Sequence, residues 1–417
     1  MSEKTRNNIE VMAPVGSFDS LMAAIQGGAD SVYFGLGKLN MRARSSVNFT
    51  VDDLDNIVAV CKENGIKSYL TLNTVLYDDD IPIMQELVDA AAKNDVTAVI
   101  VSDQSAIEYA REKGVEIHLS TQLNISNYHS LKFYSQYADV AVLARELNLE
   151  QVAESHRQIE RDPLKGPSGN LIRLELFVHG ALCMAVSGKC YLSLHQYNYS
   201  ANRGSCLQGC RRSYKVSDND TGDELVIDNE YIMSPKDLCT IGFLDKIIDS
   251  GIRVLKIEGR ARPPEYVKTV SRCYSEAVES IIAGEFGPER VEEWEETLKK
   301  VFNRGFWDGY YLGQKLGEWS EVYGSKASRR KEYIGKGTNY FPNIGVAEFL
   351  METKSLRLGD NILITGPTTG AVEMEVTEMR LDDKSVDQVE KGDRFSMKVE
   401  EKVRRSDKLY RWVGLDS

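Results

Sequence analysis

The chain has 417 residues, and its 51 basic against 63 acidic side chains leave a formal charge of −12. That length exceeds one ordinary core and suggests a large α/β barrel with an appended domain. The acidic balance excludes a global positive field that would draw the whole protein onto nucleic acid or anionic lipid, so any RNA contact must be local. With no basic leader and no apolar run of about eighteen residues, no membrane partner is expected and the location reads as cytoplasmic.

Short β-branched runs alternate with longer amphipathic stretches. The runs are IEVMA (9–13), DSVYFG (30–35), IKSYLTLN (66–73), TAVIVSD (97–103), VEIHLST (115–121), DVAVLA (139–144), IRLELFVHG (172–180) and IRVLKIEG (252–259). Helical spacing marks 19–28, 51–64, 81–94, 104–113 and 149–159 between them. Continuous apolar strands separated by helices imply a parallel sheet covered on both faces, and eight such units predict a (β/α)8 TIM-like barrel over 1–325. A doubly wound sheet is the competing architecture, but no GxGxxG follows an early strand.

An insertion at 181–250 separates the last two strands and leaves the end of a barrel strand where catalytic groups converge. Beyond it, SKASRRKEYIGKG reads as a basic linker over 326–334. Short alternating runs bounded by Gly, Pro and Asp then predict a small all-β barrel at 335–417. Within it, LRLGDNILITGPTTG resembles the RNA-binding β-barrel domain of translation elongation factors.

The insertion holds Cys183, Cys190, Cys206 and Cys210, with Cys239 further on in SPKDLC; the chain has seven cysteines in all. In a reducing compartment such clustering points to metal or redox chemistry. No tight CxxC pair suits a zinc finger, whereas widely spaced thiolates suit an iron–sulfur cluster; structural zinc and unmetallated thiols remain the alternatives. Cys61 and Cys273 lie on helices and read as buried apolar groups.

His179, at a strand end, is a candidate acid–base group or a core histidine, and His195 reads as solvated. Lys256, Glu258 and Arg260 share one face of the last strand or its end, where they could shuttle protons, bind an anion or simply pair inside the barrel. Arg42 and Arg44 form a basic loop able to grip a carboxylate or phosphate. Neither GxSxG nor HExxH occurs, which leaves Cys–His catalysis through His179 as the protease route.

The segment ELFVHGALCMAVSGKCYLS (175–193) resembles the signature of peptidase family U-32, and MRARSSVNF, SPKDLC, KIEGRARPPEYV and FNRGFWDGYYLG extend the resemblance along nearly the whole chain. The family is named for collagenase-like peptidases, but several members are oxygen-independent hydroxylases with a four-iron, four-sulfur cluster. The branch resembled most is the tRNA 5-hydroxyuridine modification protein. That resemblance implies hydroxylation of wobble uridine with prephenate as cosubstrate, and tRNA as partner, with an accessory protein or electron donor possible. It implies Cys183, Cys190, Cys206 and Cys239 as cluster ligands, with Cys210 as the alternate fourth. The reading assigns His179, Lys256 and Glu258 to catalysis and Arg42, Arg44 and Arg260 to substrate. Peptide-bond cleavage, and hydroxylation of rRNA or a quinone precursor, are the alternative functions. Local phosphate contacts are expected from Lys326, Arg329, Arg330, Lys331 and Lys336 and from Arg404, Arg405, Lys408 and Arg411.

Overall fold

The computed structural model describes residues 5–44, 48–214, 220, 233–313, 318–320 and 324–415. Residues 215–219 and 221–232 of the expected insertion therefore lie outside the described residues. The first seven strands are β1 (Glu10–Pro14), β2 (Ser31–Phe34), β3 (Lys67–Leu72), β4 (Ala98–Val101), β5 (Glu116–Leu119), β6 (Val140–Val142) and β7 (Arg173–Gly180). Two more are the short β8 (Asp237–Cys239) and β9 (Ile252–Ile257). Strands β1 to β7 pair in sequence, all parallel, and β9 closes the ring by pairing with both β7 and β1. This is the expected eight-stranded TIM-like barrel, each strand overlapping its predicted run. Strand β8 runs antiparallel to the end of β7 and pairs with β10 (Phe306–Trp307), extending the sheet away from the barrel.

The surrounding helices are α1 (Phe18–Gln26), α2 (Leu54–Glu63), α3 (Ile81–Lys93), α4 (Gln104–Glu112), α5 (Tyr128–Tyr134) and α6 (Leu149–Arg161). They are followed by α7 (Leu192–Tyr197), α8 (Leu244–Asp249), α9 (Pro264–Ala283) and α10 (Pro288–Lys299). Local chemistry sets their starts: Ser17, Asp103 and Asn127 accept first-turn amides, and Asn148 with Gln151 forms a reciprocal capping box. Val152 and Ile159 of α6 are buried, while its exposed face is charged. Strand residues alternate between two apolar environments. Val11, Ala13, Val32 and Leu70 pack under the helices, while Met12, Tyr33, Tyr69, Ile100 and Val254 form a separate cluster.

The remaining strands are β11 (Arg329–Phe341), β12 (Val346–Met351), β13 (Ser355–Arg357), β14 (Asn361–Gly366), β15 (Gly370–Glu375), β16 (Arg380–Leu381), β17 (Lys384–Ser385), β18 (Gln388–Glu390), β19 (Arg394–Lys398) and β20 (Lys408–Gly414). Eight form an antiparallel sheet ordered β15-β14-β20-β11-β12-β19-β16-β17, and β13 pairs with β18. Its end strands β15 and β17 pair with β14 and β16, and these antiparallel sheets of the expected all-β unit enclose a core that includes Ile334, Phe349 and Phe395. The run expected as a linker supplies the start of β11, because RRKEY pairs residue by residue with β20.

Candidate active site

A cavity of about 580 Å³ opens among the C-terminal ends of the barrel strands. Tyr33, Thr71, Ile100, Phe177 and Lys256 form strand-borne parts of its wall, and the segment from Ala181 to Leu192 covers it. Gly180 makes that departure possible. It ends β7 at φ +102°, and a Cβ there would collide with the Glu258 carbonyl oxygen.

Six arginines and two lysines line the cavity, while Glu258 is its carboxylate among the described residues. Arg42 donates from Nε to Glu258 Oε1 at 3.0 Å and makes a second, shorter contact to the same oxygen. Burial acts to raise the Glu258 carboxyl, but Arg42, Arg145 and Arg260 outweigh it and hold it at about 2. Glu258 in turn raises the Arg42 guanidinium above its ordinary range, against its own desolvation. Lys256 Nζ pairs with buried Glu175 at 2.6 Å and sits 4.8 Å from the centroid of the Tyr33 ring.

Arg260 has neutral partners. It donates to Thr71 Oγ1 and Asn40 Oδ1, each at 2.9 Å, and burial lowers its guanidinium to about 10. Space for it comes from Gly35, whose Cβ would stand 2.5 Å from Arg260 Nη1. Arg145 lies 3.8 Å over the Phe177 ring, donates to the Ala181 carbonyl at 3.2 Å, and keeps a buried Nε without a hydrogen-bond partner. Arg262 stacks 3.5 Å from the Phe302 centroid, and Arg211 donates to the Leu182 and Pro235 carbonyls at 2.6 Å each. The cavity therefore concentrates cationic charge that internal carboxylates do not balance, an arrangement suited to an anionic ligand.

Cys183, Cys190, Cys206 and Cys210 all line this cavity. The other three thiols each add to the electrostatic environment of Cys210, and burial first of all raises it to about 11. Cys239 stands elsewhere. Its residue pairs with His179 across the β7–β8 ladder, and its buried thiol bonds Tyr274, with burial pushing it to about 12. The structure thus groups Cys210, not Cys239, with the other three, because β8 turns Cys239 into the apolar core. Four soft thiols facing one cavity match the donor chemistry of an iron–sulfur cluster. In this conformation no three or more His, Cys, Asp or Glu among the described residues stand close enough to hold a metal ion.

His179 is also outside the cavity wall. It is 1% exposed, packs against Tyr274 and Phe306 at ring-centroid distances of 5.6 Å each, and is pushed down to about 3 by burial and then Arg262. A register irregularity between Phe177 and His179 interrupts the strand alternation that would have aimed it inward. The structure thus places His179 in the core and not on the cavity wall where a catalytic part was expected. Arg44 is exposed and stacks 4.0 Å from the Tyr199 centroid instead of lining the cavity, whereas His195 does line it. Burial raises Cys61 and Cys273 to about 12, in keeping with the apolar part expected of them.

Arg145, Arg211, Arg262 and Arg304 are cavity residues that sequence reasoning missed. Arg145 carried a usable signal, since it follows the DVAVLA run directly, where barrel strands deliver functional groups.

The profile of peptidase family U32 matches residues 16–321. The chain belongs to peptidase family U32. A U32 relative from Porphyromonas gingivalis, named collagenase, is 60% identical over 406 residues, covering 97% of this chain and 98% of that protein. A tRNA hydroxylation protein from Bacillus subtilis is 31% identical over 366 residues, covering 86% and 83%. A 23S rRNA 5-hydroxycytidine synthase from Escherichia coli is 33% identical over 319 residues, covering 75% of this chain and 46% of that protein. The names within this U32 set thus span peptidase and RNA-hydroxylating enzymes. No described helix of the chain is long and apolar enough to cross a membrane.

Proposed function

We propose that this U32 protein hydroxylates RNA without oxygen, converting wobble uridine of tRNA to 5-hydroxyuridine, with a four-iron, four-sulfur cluster and prephenate as cosubstrate. The observation that carries the reading is the shared cavity: four thiols and an unbalanced set of guanidinium groups face one space at the barrel mouth. Cys183, Cys190, Cys206 and Cys210 would hold the cluster, which when bound supplies electron transfer or substrate activation. Arg260 and Arg145, which line the cavity, would orient the carboxylates of a cosubstrate such as prephenate. Glu258, ionised at neutral pH and tied to Arg42, fixes that guanidinium at the wall; Lys256, tied to Glu175, is held beside the Tyr33 ring. The segment from Ala181 to Leu192 lines the space.

The collagenase name of the 60%-identical relative supports a peptidase as the second reading. A thiol protease needs a cysteine hydrogen-bonded to a base, and the expected base, His179, lies in the core. The rRNA-modifying relative makes rRNA the next substrate to consider; a quinone precursor is the other. Anaerobic purification followed by iron and sulfide analysis, with nucleoside analysis of tRNA from a strain lacking the protein, tests the proposal. Brown protein with depleted 5-hydroxyuridine is expected. Colourless protein containing zinc, or cysteine-dependent gelatin cleavage with unchanged tRNA and rRNA, would overturn it.

A further inference from the structure

The segment Leu176–Tyr214 contains no Asp or Glu, in a chain with 63 of them, yet it carries Lys189, Arg203, Arg211 and Arg212. The fold places this acid-free stretch at the cavity mouth and leaves aromatic rings in water there. Tyr191 lines the cavity and is still 69% exposed; Tyr199 is 42% exposed. The Arg44 guanidinium lies 4.0 Å from the Tyr199 centroid, and that of Arg212 lies 5.4 Å from the Tyr197 centroid. Arg44, Lys189 and Arg212 are exposed, and no carboxylate pairs with them among the described residues.

The basic runs expected to meet RNA behave differently. Arg329 pairs with Glu373 at 2.8 Å, Lys331 with Glu265 at 2.8 Å, Lys336 with Glu352 at 2.6 Å and Arg411 with Glu332 at 3.3 Å. Those four cations are cancelled where they stand, whereas Arg405 and Lys408 are exposed and form no ion pair among the described residues. The rim is the positive face that adjoins the cavity.

We propose that this rim docks single-stranded RNA beside the nucleotide that enters the cavity, with bases stacking on Tyr191 and Tyr199 and phosphates meeting Arg44, Lys189 and Arg212. The inference rests on the RNA-hydroxylase reading and adds the place and manner of binding. Exposed rings interleaved with unpaired cations match both components of an unpaired strand, its base faces and its phosphates. A gelatin peptide offers the rings no nucleobase and the cations no phosphate.

The test is fluorescence anisotropy of the full-length protein with a short fluorescein-labelled oligouridine. Tyr191→Ala is expected to weaken binding by about tenfold while Tyr191→Phe retains it. Arg44→Ala and Arg212→Ala should each weaken binding and lower the salt-dependence slope by about 0.7. Lys336→Ala should leave it unchanged. Unchanged affinity in the rim variants, loss confined to Lys336→Ala, or gelatin peptide binding through Tyr191 in place of RNA would overturn the dock. Failure of the two readings can be separated. RNA binding at the rim without RNA hydroxylation in cells would sink the reaction and keep the dock, whereas hydroxylation at full rate by an Arg44→Ala, Tyr191→Ala, Arg212→Ala variant would sink the dock and keep the reaction.

Discussion

Cys210 and Cys239 differ in what surrounds their sulfur atoms, and that difference decides which completes the thiol set. Cys210 lines the cavity with Cys183, Cys190 and Cys206, whereas Cys239 is held in the core against Tyr274. In anaerobically purified protein, Cys210→Ser should lose most of the iron and the visible absorbance, while Cys239→Ser should keep both. Iron retained by Cys210→Ser and lost by Cys239→Ser would reverse the assignment. Spacing along the chain could show that thiols cluster, but not which way a short strand turns one of them. Lys256 and Glu258 were legible because a period of two puts Lys256 on the inner face of β9 and Glu258 just past its end, yet their partners Glu175 and Arg42 come from β7 and the loop after β2.

At the scale of elements, alternate barrel strands build a polar layer near their N-terminal ends, away from the cavity. Glu10 of β1 accepts from Tyr69 at 2.7 Å and pairs with Lys67 of β3 at 2.7 Å and Arg173 of β7 at 3.2 Å. Glu116 of β5 contacts His118 and Arg173 at 3.1 and 3.7 Å. Burial acts to raise the Glu10 carboxyl, but these partners outweigh it and bring it from 4.5 to about 2. A depressed carboxylate binds its proton more weakly in the folded state. Its stabilisation is therefore present above pH 4.5 and is lost as pH falls towards about 2, and it amounts to about 3 kcal/mol at most. Denaturant titrations should show Glu10→Gln less stable at pH 7 by about 1–3 kcal/mol, with the difference shrinking as pH falls through this window. An equal difference at pH 7 and pH 2.5 would contradict the assignment. Strand positions were readable from β-branched runs; the layer was not, because its members are far apart in sequence and meet only when the barrel closes.

At the scale of the whole molecule, the barrel and the C-terminal sheet share one apolar cluster. Leu363 and Ala371 of the C-terminal sheet belong to the same apolar cluster as the barrel's outer face, with Tyr410 and Trp412 packed against it. Gln26 of α1 donates to the Thr369 carbonyl at 2.9 Å and accepts from the Ala371 amide at 3.1 Å, and Lys268 of α9 donates to the Ala371 carbonyl at 2.7 Å. Calorimetry should therefore show a single thermal transition, and a chain ending at Ser328 should be recovered largely insoluble because the faces of α1 and α9 lose their cover. Two well-separated transitions, or a soluble truncated barrel that melts as the full chain does, would show that the units are independent.

By itself the sequence determined the eight-strand alternation, the membership of family U32 through its cysteine-bearing signature, and the presence of a charged group at each of several strand ends. These are local properties, written in the period of hydrophobic residues and in motif spacing. Only the tertiary structure decided that His179 and Cys239 belong to the core, that Arg145 and Arg211 belong to the cavity, and that Arg329 and Lys336 are paired with Glu373 and Glu352. Each of those outcomes depends on which distant side chain ends up within a few ångströms, and barrel closure and β8 pairing set those distances.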